Sequence, residues 1–135
     1  MTMRITTILT TETINGTEVI KQSFEGTLQR QGNLTLLTYE EPEHGTTRLF
    51  IGDGHARLVR KGRLTTQMVF QPETTTHNWY HTPNGSFEME IHTTLLQHHE
   101  APSESRFCAH YTLALNGEQV AKNKLEIHYD LIRPK

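Results

Sequence analysis

The sequence predicts an all-β chain: an up-and-down antiparallel meander closed into a small barrel of about eight to ten strands. Three observations carry that prediction. Apolar side chains recur at every second residue in one segment after another. Pairs of turn-forming residues, five of them containing Asn-Gly, Asp-Gly or Gly-Asn, separate those segments. Threonine clusters in the alternating stretches, and its branched Cβ suits a pleated surface better than a helix interior.

Strands are expected near residues 3–13, 18–30, 34–41, 46–52, 55–60, 63–71, 77–82, 86–98, 105–115 and 119–132. The first alternates Ile and Leu with Thr and ends at Asn15-Gly16. The second ends at Gly32-Asn33, and the third at Glu43-His44-Gly45. The fourth and fifth flank Asp53-Gly54, where a two-residue turn sets Ile51 opposite Ala56 and Leu49 opposite Leu58, all on one face. A three-residue loop at Arg60-Lys61-Gly62 sets Leu58 against Leu64. In the sixth strand Leu64, Met68 and Phe70 share a face. Pro72–Thr76 reads as a mobile loop before the seventh strand. Asn84-Gly85 leads into the eighth, where Phe87, Met89, Ile91 and Leu95 oppose Glu88, Glu90, His92 and Thr94. Glu100–Glu104 reads as a second mobile loop. In the ninth, Phe107, Ala109, Tyr111, Leu113 and Leu115 face inward. At Asn116-Gly117 a two-residue turn sets Phe107 against Glu126, a mismatch. A three-residue loop through Glu118 sets Ala109 against Leu125 and Phe107 against Ile127, so a bulge is expected there. The last strand places Leu125, Ile127, Tyr129 and Leu131 on one face. So many short strands in one meander remove their bare edges by closing on themselves.

The 135 residues read as a single β-barrel domain spanning 1–135. One cysteine, Cys108, excludes an intrachain disulfide framework and suits a reducing compartment. No apolar run is long enough for a membrane-spanning helix, and no basic start followed by an apolar core marks a secretory leader. A soluble, cytoplasmic protein with no membrane role is therefore expected. The three Asn-x-Ser/Thr triplets, at Asn15, Asn33 and Asn84, then read as turn residues rather than glycan acceptors. A net charge of −2 argues against a whole surface devoted to nucleic acid, without ruling out a local basic patch.

Certain motifs stand in an order that resembles a known family. They are Leu37-Thr38-Tyr39-Glu40-Glu41, then Gly62 with Met68-Val69-Phe70, and then Tyr80-His81-Thr82-Pro83-Asn84-Gly85 with Met89-Glu90-Ile91-His92-Thr93. Asn123-Lys124-Leu125-Glu126-Ile127 closes the set. Over nearly the whole chain they are similar to the YwiB-like family of bacterial proteins of unknown function. The resemblance implies a lipocalin-like (calycin) barrel in a cytosolic bacterial protein, and it implies no activity. Asn84 stands where that family leads one to expect an aromatic ring.

The inward set Met68, Phe70, Tyr80, Met89 and Tyr111 offers apolar area with phenolic hydroxyls, suited either to a small apolar or amphipathic ligand or to a packed core. Tyr39 joins it only if the Glu41–Gly45 loop is odd in length, and Trp79 points out. Arg48, Arg57, Arg60, Lys61 and Arg63 form a basic cluster, suited either to an acidic partner such as RNA or to a solvated edge.

Glu40-Glu41 and the Glu88, Glu90 pair read as solubility residues. Cys108 and His110 share the outer face, where an unreactive thiol is expected. Of nine histidines, His77 and His81 lie too far apart on a strand for one ion. His92 and His110 are cross-strand neighbours only if the following loop is symmetric, and His98-His99-Glu100 reads as a solvated strand end. No metal, cofactor or catalytic constellation is expected. The leading functional reading is a non-enzymatic small-molecule-binding module; the alternative is an interaction protein using the basic wall.

Overall fold

Each alternating segment is a strand, and the turns between them close the sheet on itself. The computed structural model describes residues 2–42, 45–62, 65–101 and 104–130, with backbone alone at 2–4, 6 and 7. Ten strands follow one another as β1 (Thr2–Ile14), β2 (Glu18–Gln31), β3 (Leu34–Glu41), β4 (Gly45–Ile51), β5 (Ala56–Lys61), β6 (Thr65–Phe70), β7 (Thr74–Thr82), β8 (Gly85–His99), β9 (Ser105–Leu115) and β10 (Glu118–Tyr129). Every strand pairs antiparallel with its neighbours in sequence, and β1 pairs with β10, so the sheet is a closed barrel. No helix among the described residues is long and apolar enough to cross a membrane, which says nothing of strands.

The hairpin at Asp53-Gly54 pairs Ile51 with Ala56 and Leu49 with Leu58, as parity requires. Elsewhere the period is broken once and resumed. At Asn116-Gly117 the turn has two residues, with Glu118 opposite Leu115 and φ near +50° and +85° at the central pair, the twist a tight hairpin needs. The extra residue expected in the loop is Val120, which bulges out of β10 so that Ala109 meets Leu125 and Phe107 meets Ile127. In β8 the ladder shifts between Thr93 and Leu95. This corrects the expected inward Leu95: it lies opposite the outer-face His110, while Leu96, opposite Ala109, packs on the core.

Two further expectations are corrected. Leu58 pairs with Met68 rather than Leu64, because Arg60 and Lys61 stay in the β5 ladder and the turn comes later. A slip of four residues keeps every side chain on its face, so parity alone is blind to it. Positions 63–64 and 131–135, including Leu64 and Leu131, lie outside the described residues. The stretch Pro72–Thr76 is loop only to Glu73, since β7 begins at Thr74.

The barrel is filled from the end where β1 starts and β10 finishes. Ile5, Ile8, Leu28, Leu37, Leu49, Phe70, Phe107, Ile127 and Tyr129 are buried there or at mid-height. Phe70 sits against Phe107 and Tyr111, at ring-centroid distances of 6.5 and 5.1 Å. One seam is short of backbone pairing. Among the described residues β6 and β7 share only the pairs Thr65–His81 and Thr66–Tyr80. Beyond them side chains take over: Val69 N–H donates to Asn78 Oδ1 at 3.2 Å, and Thr76 Oγ1 donates to the Val69 carbonyl at 2.7 Å.

Candidate functional site: the polar mouth of the barrel

At the opposite end, where the β9–β10 and β7–β8 hairpins turn, the core gives way to a cavity of about 380 Å³. Met68, Met89, Leu113 and Leu115 form its apolar wall. Glu12, Arg60, Tyr80, Tyr111 and Asn123 contribute polar groups. Period-two alternation explains the mixture. Each of these residues stands two or four positions along its strand from a core side chain and must point the same way.

The inward set expected from sequence is therefore divided. Met68, Tyr80, Met89 and Tyr111 border the cavity, whereas Phe70 is fully buried in the packed core beyond it. Phe87, also expected inward, is exposed. Tyr39 is buried and stacks on Phe24, and Glu41 pairs with Gly45, so the intervening loop has the odd length its inward direction required. Trp79 is exposed, as expected.

Glu41 corrects the reading of Glu40-Glu41 as solubility residues. Two positions on from Tyr39, it points inward and is 4 % exposed. Thr47 Oγ1 donates to its Oε1 at 2.6 Å, and Arg60 Nε donates to the same oxygen at 3.2 Å. Glu40 is exposed and accepts from Thr46 Oγ1. Arg60 likewise leaves the basic wall. Two positions from Leu58, it turns into the barrel, and its side chain is 18 % exposed. Burial works against its charge, but Glu41 and then Glu12 outweigh burial and hold the guanidinium above its ordinary pKa. Arg48 and Arg57 stay exposed on the outer face, Arg57 lying 4.4 Å over the Phe50 ring, and Lys61 is exposed as well. Arg63 lies outside the described residues.

The tyrosines feel the same surroundings. Burial, then the charge of Glu12, pushes the Tyr111 phenol up to about 12, although a hydrogen bond from Asn123 works the other way. Burial and the Glu41 charge push Tyr39 up as well. Asn123 is 7 % exposed, and its Oδ1 has no hydrogen-bond partner. Sequence reasoning passed over Glu12, Asn123 and the buried Asn78. Their signal was parity with Thr10, with Leu125 and with Tyr80.

At the other end His98 and His99 close β8 at exposed positions, as expected, but His98 also has a partner: its Nε2 lies 2.7 Å from Tyr129 Oη, which is 3.3 Å from Glu100 Oε2. Glu100 also pairs with Arg30. On the outer wall Cys108 is nevertheless 5 % exposed, flanked across the sheet by Gln97 and Glu126. Burial and Glu126 push its thiol up, in keeping with an unreactive sulfur in the protein as it stands. His92 and His110 are not partners, since His92 pairs with Thr112. His77 Nδ1 lies 2.9 Å from Glu88 Oε1, so that carboxylate has a hydrogen-bond partner rather than standing alone in solvent.

Comparison with known proteins adds family and fold. A family described as "Domain of unknown function (DUF1934)" matches residues 4–127. The crystal structure of ywiB protein from Bacillus subtilis superposes with a TM-score of 0.82 at 20 % identity, covering 98 % of this chain and 94 % of that one. No curated protein matches the sequence.

Proposed function

The chain belongs to the DUF1934 family, a domain of unknown function, and from that premise we propose that its barrel is a binding module that holds one small amphipathic molecule at the polar mouth. The observation that carries this reading is the unpartnered Oδ1 of Asn123, buried at the edge of a cavity of about 380 Å³. A buried acceptor without a partner costs roughly 1–3 kcal/mol. A ligand bearing an N–H or O–H group removes that cost on binding. Glu12, a second acceptor, borders the same space, and Arg60 is already engaged by Glu41. The polar end of the cavity therefore favours a donor or a cation over an anion. Met68, Met89, Leu113 and Leu115 suit an apolar body.

Thermal melting of natively purified protein against a panel of small amphipathic amines, alcohols and matching carboxylates tests the reading. Amines or alcohols should raise the melting temperature, carboxylates should not, and Asn123→Leu should abolish the shift. Native mass spectrometry should show a co-purified small molecule. A panel without any shift, together with a purified protein carrying no such molecule, would sink the proposal.

A further inference from the structure

On the outer wall, away from the mouth, three potential ligands of different chemistry meet. Cys108 and His110 stand two apart on β9 and so share a face, and Glu126 of β10 lies directly opposite Cys108. Cys108 Sγ, a ring nitrogen of His110 and a carboxylate oxygen of Glu126 all lie within 4.8 Å of one another.

We propose that Cys108, His110 and Glu126 form a binding site for a borderline-soft divalent cation of the zinc type, with one coordination position left open. Three protein ligands with bond lengths of about 2.0–2.3 Å need their donor atoms somewhat closer than 4.8 Å, the bound within which these atoms lie, so at most a small adjustment is required. Because the side chains project from adjacent positions of one rigid sheet, rotamer changes alone can make that adjustment. The mixed sulfur, nitrogen and oxygen set suits Zn²⁺ or Co²⁺ better than Mg²⁺ or Ca²⁺, which take oxygen ligands. On binding, the Cys108 thiol loses its proton to solvent and the sulfur coordinates as thiolate. Burial supplies the dry surroundings that strengthen the metal–thiolate bond. His110 also borders an open hollow of about 410 Å³, which gives a cation access. Lys124, opposite His110, and Arg106, next along the face from Cys108, oppose a cation electrostatically. Both are exposed, so water screens them. The other cluster of similar size, His77 with Glu88 and Glu90, contains no sulfur and serves as an internal control.

Titration of the full chain with Co²⁺ alone tests the site, since a cobalt–thiolate bond gives a near-ultraviolet charge-transfer absorption that histidine or carboxylate binding does not. One equivalent should produce the band, and Zn²⁺ should displace it. Cys108→Ser, a near-isosteric change, should remove the band. Glu126→Gln, at a partly exposed position, should weaken Co²⁺ binding by at least about ten-fold. His77→Ala should leave both unchanged, with circular dichroism confirming the strand signal in every variant. The proposal is overturned if the unaltered chain shows no such band, if Cys108→Ser retains it, or if His77→Ala abolishes it.

Discussion

Arg60 reaches into the barrel and donates through Nε to Oε1 of Glu41 at 3.2 Å, on a carboxylate that is 4 % exposed. A charged pair thus sits on the inner wall beside Thr47 and Glu12, and Glu41 has little access to water. Truncating one partner strands the other. Arg60→Ala should cost about 3 kcal/mol of stability, while the double change Arg60→Met with Glu41→Leu should recover most of it, because no charge remains to be desolvated. Urea denaturation midpoints decide the matter. An Arg60→Ala chain as stable as the parent would mean the pair does not hold the mouth together.

Gly26 is required by close approach. A Cβ there would fall inside contact distance of the Thr38 carbonyl oxygen and 2.7 Å from Ile8 Cδ1. The backbone oxygen belongs to the paired β2–β3 ladder and cannot withdraw. Gly26→Ala should therefore destabilise the barrel by about 2–3 kcal/mol, whereas Lys21→Ala, at an exposed β2 position, should be near neutral. Thermal melts of the two variants make the comparison.

Alkali should weaken the fold. Burial holds Tyr111 and Tyr129 protonated up to about 12 in the native barrel, while the unfolded chain ionises them near pH 10. Between those limits the native state binds more protons than the unfolded state. Stability is therefore complete below pH 10 and falls as pH rises towards 12, by about 1.4 kcal/mol per pH unit for each tyrosine. Tyr129→Phe should make that slope shallower. A stability that stays flat across this window, followed alongside tyrosinate absorbance, would contradict the burial argument.

Leu113 lines the cavity and is only partly buried. Leu113→Trp should fill the mouth at a cost of about 1 kcal/mol or less and abolish any ligand-induced rise in melting temperature. Retention of the full shift in this variant would place the ligand elsewhere.

The strand order and most facing positions were legible because the period of two is insensitive to what each side chain is. Asp53-Gly54 set the β4–β5 register, whereas the direction of Tyr39 hung on the length of the Glu41–Gly45 loop, which the pairing of Glu41 with Gly45 decides. The mouth was harder to read, although the signal was present. Glu41 follows Tyr39 by two and Arg60 follows Leu58 by two, so both belong inside. The general rule that charge seeks water pointed the wrong way, because it cannot foresee that the two would neutralise each other over the intervening β4. Leu95 was lost to a different cause. A bulge inserts one residue and reverses facing beyond it; parity announced the one in the β9–β10 hairpin, though not its place at Val120, and nothing in the side chain of Thr94 announces the one in β8.

The seam between β6 and β7 gives this cask a loose stave. Among the described residues, two backbone pairs and the side-chain bridges from Asn78 and Thr76 hold it. Thr66, Met68 and Tyr80, which flank the join, also look onto the cavity. Parting β6 from β7 breaks far fewer ladder bonds than parting β8 from β9, so the ligand proposed above would meet least resistance along this seam.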